Sequence, residues 1–430
     1  MTTLPSTPVH WDHKAVYAAL EATFGAGAAI TGADAVRLWD VSWTPMEGDK
    51  KELPYVKPYF GATHSALINL RSKLSFKVGL TGAGSAGVPA WDRFVRASGA
   101  SRVQVPSTAA ATIAASPVKV SGAGAWTFTR TGAYQGVHAR IVTLTCTTGG
   151  GSGVAAFGVA APAIGSDAAV AAAGQVMTVG QPFALGAGAV VTVGAIGTNF
   201  AAGDTFTVSL TPAGCTYTPS SDRAGPSLEV RLMLPDPEDA TKAQMWAMLG
   251  GRCSLKGSGT ADDFPYLEFE VTADYAAPAT VPEVTPVFAS WPDPLLVNTE
   301  NTPLFRLFGH DLVMASFGFD AGIQVEYVSR VGRRGARKAD AKASLTAKVE
   351  APSIDSVDFF ALAQSRATGE FLLQHGVAAG EAVVIRAPRW QLDAPKPGED
   401  KKDFVYDLSG SALPLDGDDD WTLFASTTAA

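Results

Sequence analysis

Charge is scarce in this chain of 430 residues: Asp, Glu, Lys and Arg together make 17% of it, against 47% apolar residues. That balance excludes a disordered chain and predicts well-filled cores, with length for two or three domains. An excess of positive charge is missing as well. The net charge of −8 and pI near 5.3 do not suit a domain that grips nucleic acid through its phosphates. Cysteine is limited to Cys146, Cys215 and Cys253, with no C-x-x-C pair, so neither a disulfide framework nor a zinc site is expected. Long hydrophobic runs are absent; the Ala-rich stretch 168–173 is far too short to span a bilayer. The first fourteen residues lack a basic region and an apolar core, so no secretory leader is expected and the chain is expected in a cytoplasm-like compartment until it assembles. No G-x-S-x-G elbow, H-E-x-x-H helix or Walker loop occurs either. The expectation is a protein without catalytic residues or cofactor.

What is present begins with a loop that imitates a dinucleotide site. Gly82, Gly84 and Gly87 are spaced as G-x-G-x-x-G between an alternating apolar run and an amphipathic segment. A nucleotide-binding turn needs a second strand soon after the helix and an acidic residue about twenty positions on. Here residues 101–105 lead straight into an Ala/Gly-rich block with no carboxylate for a long way. The loop is therefore expected to carry the chain from a strand onto a packed helix, without a ligand.

Three regions differ in composition. From 106 to 214 the chain turns to Ala, Gly, Thr, Ser and Val, and its ionised side chains reduce to Lys119, Arg130, Arg140, Asp167 and Asp204. Short β-type runs at 126–128, 139–146, 176–179, 190–193 and 205–210, separated by glycine turns, predict a small all-β, immunoglobulin-like sandwich; low-complexity disorder is the rival. The flanks repeat one pattern. Leu74, Phe76, Val78 and Leu80 alternate with polar residues, followed by Pro89 and a helix whose Trp91 and Phe94 pin it to the sheet. Leu345, Ala347 and Val349 alternate likewise, followed by Pro352, a cap at Ser353, and a helix pinned by Val357 and Phe360. Each helix follows a strand pair with a polar tip, one near 69–73 and one at 330–338, where Arg330, Arg333, Arg334 and Arg337 cluster. Further strands follow each helix, at 228–234, 252–256 and 266–271, and at 370–374, 382–387, 404–409 and 421–425. The organisation expected is a duplicated, mainly β unit with a minor α component: 1–105 and 215–290 form the first copy, 106–214 an insert, and 291–430 the second copy.

Other clusters carry less. His10 and His13 stand at metal-ligand spacing with no further ligand nearby, and read as a solvated arm. The acidic run 416–420 lacks the glycine and closing glutamate of a calcium loop and reads as a turn. The basic tip has no aromatic residues for stacking on bases, so it is expected to meet an acidic neighbour, either 416–420 or Asp262 and Asp263 of another subunit.

At residues 84–99, GSAGVPAWDRFVRASG, the chain resembles the glycine loop and helix of the major tail tube proteins of long, non-contractile bacteriophage tails. Tyr217, Pro219 and Ser221 resemble the Y-x-P-x-S step of that family, and 250–260 with 265–270 resemble its next strand pair; 308–327 and 376–388 match more loosely. The insert is a departure from the pattern and is similar to β-rich decorations on the outside of such tubes. The resemblance implies sandwiches that close into rings around a lumen, stacked into a tube that conducts phage DNA without sequence contacts. It implies a virion protein assembled in the bacterial cytoplasm, whose partners are its own copies, the tape measure protein and other tail proteins, with no membrane. Two units per chain imply a trimeric, pseudo-sixfold ring, and a single unit would imply a hexamer. A β-rich surface-binding protein with the insert as recognition module is the alternative.

Overall fold

The computed structural model describes residues 9–222 and 225–428. Of the first fourteen residues, from which no secretory leader is expected, 1–8 lie outside the described residues. Strand accounts for 53% and helix for 6%, so the chain is mainly β. Every ladder among the described residues is antiparallel, and the parallel contact between Gly84 and Thr427 is an isolated bridge. A parallel, doubly wound sheet is excluded.

The first unit opens with β1 (Ala15–Leu20), the long hairpin β2 (Trp39–Glu52) and β3 (Ser65–Gly79), helix α1 (Asp92–Ala97), and β4 (Ser101–Val105). The hairpin turns at 53–64, beyond the expected tip; Arg71 and Lys73 are paired inside β3, and Asn69 sits at a bulge in it, donating its side-chain amide to Asp49 at 2.7 Å. Pro54 and Pro58 supply no N–H to a ladder, which is why pairing stops before them. Leu74, Phe76, Val78 and Leu80 are buried, because period-two alternation turns them to one face. There the rings of Phe76, Phe94 and Phe269 meet at centroid distances of 4.9, 5.2 and 5.8 Å. Trp91 donates its indole N–H to the Thr81 carbonyl at 3.0 Å. The Asp92 carboxylate accepts from the Tyr217 hydroxyl at 2.7 Å and from Arg102 at 3.0 Å. Six residues of helix are too short to persist alone, so these contacts hold it.

The insert then supplies α2 (Ala109–Thr112), β5 (Val118–Ser121), β6 (Ala125–Gly132), β7 (Arg140–Thr148), β8 (Ala156–Ala161), β9 (Val170–Val176), β10 (Pro182–Gly186), β11 (Ala189–Thr198) and β12 (Thr205–Leu210). Five strands form one sheet in the order β5-β12-β7-β8-β9, and three another in the order β10-β11-β6. They share a separate core in which Trp126, Phe157, Phe183, Phe200 and Phe206 are buried. The run 176–179 was expected as a strand, but pairing ends at Val176 and the strand occupies the Ala-rich segment before it. The chain leaves the first unit along β4 and returns along β13 (Gly214–Thr218), which pairs with β4. That is the geometry of an inserted domain.

The first unit is completed by β14 (Leu228–Pro235), β15 (Lys242–Cys253), β16 (Lys256–Thr260), β17 (Tyr266–Tyr275) and β18 (Ala279–Pro282). The second comprises β19 (Leu304–Leu307), β20 (His310–Asp311), β21 (Met314–Asp320), β22 (Ile323–Arg330), β23 (Arg333–Ala341), β24 (Ser344–Glu350), α3 (Phe359–Ser365), β25 (Thr368–His375), β26 (Val383–Leu392), β27 (Lys396–Asp400), β28 (Asp403–Ala412) and β29 (Thr422–Ser426). Pairing repeats between the two units. β1-β14-β15-β17-β3-β2 in the first matches β19-β25-β26-β28-β24-β21 in the second.

The register repeats too. Lys77, Glu268 and Lys256 align across β3, β17 and β16, as Lys348, Asp407 and Lys396 align across β24, β28 and β27. In the second helix Asp358, not Ser353, is the cap; its carboxylate accepts from the amides of Phe360 and Ala361 at 2.9 and 3.0 Å. The helix stops at Arg366 with φ of 56°, three residues before the expected Gly369. Val357 is buried, whereas Phe360 is 47% exposed and its expected role falls to the buried Phe359. One residue of drift around a helix exchanges the two faces.

Phe94→Ala is expected to lower unfolding stability by about 3–5 kcal/mol, because the cavity opens between two fixed rings. Urea unfolding of the two proteins measures the difference, and Phe360→Ala serves as the nearly silent comparison.

Candidate functional site

The broadest organised surface is one face of a continuous sheet that crosses both units. β16 pairs with β21, so the order β2-β3-β17-β16-β21-β24-β28-β27 runs through the chain as two sets of four strands. One side of this sheet is the core. Leu74, Phe76, Val78, Leu345 and Val349 all point there and are buried. The other side is polar, built from the positions that alternate with them. Across four strands it carries the row Lys77–Glu268–Lys256–Asp320, in register. Lys256 Nζ lies 3.4 Å from Asp320, and Lys348 Nζ lies 3.5 Å from Asp400. Every lysine in these rows stands beside a carboxylate, so the face presents alternating charge with no unopposed positive stripe. Reading only the apolar half of each alternation hides these residues, although the same alternation locates them.

The sheet has two open ends. Among the described residues β2 pairs only with β3, and β27 pairs only with β28. An unpaired edge offers a row of N–H and C=O groups to another strand. At the β2 end the first hairpin projects apolar side chains: Leu67 is 56% exposed, Tyr55 67%, and Phe60 fully exposed.

The basic hairpin β22–β23 meets acidic residues of its own chain, among them Asp418 and Asp420 of the run 416–420. Arg334 lies 3.6 Å from Asp274, and Arg337 donates to Glu326 at 2.9 Å. Lys338 donates to the Ser220 carbonyl at 2.9 Å and faces Asp418 and Asp420. Arg330 and Arg333 remain exposed at the tip. Burial, with a hydrogen bond to Asp274, pushes the Tyr327 phenol up to about 12.

The glycine loop packs against the second unit. Ala83 donates to the Ser426 carbonyl at 2.9 Å and Gly84 to the Gly380 carbonyl at 2.9 Å. A Cβ at Gly82 would lie 2.2 Å from that same Gly380 oxygen. Its glycines serve close backbone approach between the units.

The insert is fastened to the second unit by a polar latch. The Gln374 amide oxygen accepts from His138 Nε2 at 2.8 Å and from the Ser166 amide at 3.1 Å; its nitrogen donates to Ser166 Oγ at 2.6 Å and the Gly376 carbonyl at 2.9 Å. Beside it, Asp167 accepts from the Tyr134 hydroxyl and the amides of Val137 and His138. Around the latch Val137, Leu304, Leu372, Val384 and Phe424 form a small apolar cluster.

Among the described residues no group of three or more His, Cys, Asp or Glu is placed to hold a metal ion, and no helix is long and apolar enough to cross a membrane. No protein-family model matches the chain, and a search of curated proteins finds none similar to it.

Burial lowers the pKa of both His138 and His375, against partial opposition from Gln374 and Asp167 at His138, where Arg140 and Arg306 add to the lowering. The folded state then binds fewer protons than the unfolded one, so stability is complete above the unfolded value of about 6.5 and declines as pH falls below it. Thermal melts at pH 7.5 and pH 5 are expected to show a lower melting temperature in acid. His138→Gln is expected to reduce that difference.

Proposed function

We propose that the chain is a structural subunit of a tube, of the kind that forms the tail tube of a long, non-contractile phage tail. The observation that carries this reading is the β16–β21 ladder: two equivalent four-strand sets lie side by side in one sheet, and their outer edges, β2 and β27, stay open. The in-chain junction shows how one set is followed by the next. Repeating it between copies extends the polar face around a closed wall, and closure removes both edges. Two sets per chain favour three chains in a pseudo-sixfold ring, with rings stacked head to tail.

The alternating charges of the polar face suit a lumen. A phosphate backbone passing along it meets lysines already opposed by carboxylates, which limits the gain from counterion release. On this reading the tube conducts phage DNA without sequence contacts, the tape measure protein and other tail proteins are further partners, and the virion is the protein's place. The insert lies outside the wall as a decoration. Its rings at Trp126, Tyr134, Phe157, Phe183, Phe200 and Phe206 are buried and Phe128 is half-buried, so no fully exposed ring offers a platform of the sort sugars stack on.

Electron microscopy of the purified full chain at high concentration tests the proposal. Rings with threefold symmetry, or tubes built from them, are the expected result. Small monodisperse particles at every concentration would overturn it.

A further inference from the structure

Edge pairing alone is a thin joint between copies. β27 has five residues, and Pro397 within it has no N–H to give. The in-chain junction between the two units is broader than its ladder, and it shows what else is used. Beyond β21 the second hairpin leaves the sheet and lies across β3, β15 and β17 of the first unit. Arg334 reaches Asp274 there, and the backbone at Gly335 passes so near Phe24 that a Cβ would lie 2.7 Å from the ring. The second hairpin is thus an arm laid over the neighbouring unit.

The first hairpin is its equivalent by strand order and register, and within the chain its outer half has no neighbouring unit to lie on. Met46, Leu53, Leu67 and Ile68 are exposed there, from 42% to 56%. The surface such an arm would cover follows from the repeat. Counting along β17 and β28 from the matched pair Glu268 and Asp407 places Leu413 where the first unit has Asp274. Leu413 lines an open groove of about 570 Å³ that combines Ala341 and Pro414 with the charged Asp340, Lys342 and Asp418. Counting along β3 from the matched pair Lys77 and Lys348 places Leu67 and Ile68 where the second arm has Lys338 and Ala339, and the receiving strand carries Leu413 where the first unit has Asp274, so an aliphatic contact is available there beside a charged rim.

We propose that the outer half of the first hairpin is a docking arm whose partner is a second copy of this chain, seated in the groove between 341–344 and 411–414 of that copy's second unit. The proposal rests on the ring reading above and specifies the joint that holds it. Burial of two or three aliphatic side chains at the centre of an interface places them among the residues that dominate affinity.

Two full-length variants test it, both altered only at exposed or groove-lining positions. The arm variant carries Leu67→Glu and Ile68→Glu; the groove variant carries Ala341→Arg and Pro414→Arg. Light scattering is expected to find each variant monomeric at concentrations where the wild type forms trimers, with the midpoint of assembly raised at least about tenfold. Melting temperatures are expected to stay at the wild-type value. Mixed together, the two variants still hold one intact arm and one intact groove, so dimers are expected and closed rings are not. Variants that assemble like the wild type, or a mixture that stays monomeric while the wild type forms rings, would overturn the arm and leave the ring reading standing. A wild type that is monomeric throughout would overturn the ring itself.

Discussion

The β16–β21 ladder is the contact on which the rest of the architecture depends. It joins Lys256 to Asp320 and Gly257 to Phe319 in register, and so converts two sandwich units into one sheet with one continuous polar face. Without it this face would fall into two four-strand sets with four edges, the units still being joined through the β13–β29 ladder. With it there are two edges, and they are complementary by construction, because each is the counterpart of a strand already paired inside the chain. Glycines at 257 and 259 occupy the core side of β16, where Phe317 and Phe319 of β21 pack close; a Cβ at Gly259 would lie 2.4 Å from the Phe317 ring. Small residues on one strand and large rings on its neighbour fix the register of the junction.

Around this sheet the two units use different means to the same end. The first holds a six-residue helix with an aromatic trio and a buried carboxylate shared by Tyr217 and Arg102. The second holds its helix with a side-chain cap at Asp358 and with Phe359 against Tyr406. Neither helix is stable on propensity alone, so each reports the integrity of the sheet beneath it. The glycine loop belongs to the same logic. Its lack of side chains lets the first unit's backbone touch the second unit's last strand, a packing role that borrows the spelling of a nucleotide site.

The insert adds a second core without disturbing the first, since it departs and returns on the paired strands β4 and β13. The Gln374 latch and the apolar cluster around Val137 orient it against the second unit, so it projects at a fixed angle rather than on a free tether. Satisfying all of the Gln374 amide's bonds at once makes that orientation specific, because a buried amide left unpaired costs more than a paired one gains.

Strand periodicity alone made the sheet legible. Alternation at 74–80 and 345–349 identified which side chains face the core, and two copies of one pattern flanking a charge-poor block revealed the duplication and the insertion. Those features are local: a period of two forces successive side chains to opposite faces whatever the partner strand is. The tertiary structure alone decided the pairings. Which strand lies beside β16, where the first hairpin turns, and which acid meets Arg334 depend on residues far apart in the chain, selected by register and close packing. Helix phase was decided there as well, since a short helix can rotate by one residue to bury Phe359 instead of Phe360. Composition told which side chains must be covered, and only the tertiary pairing decided which strands cover them.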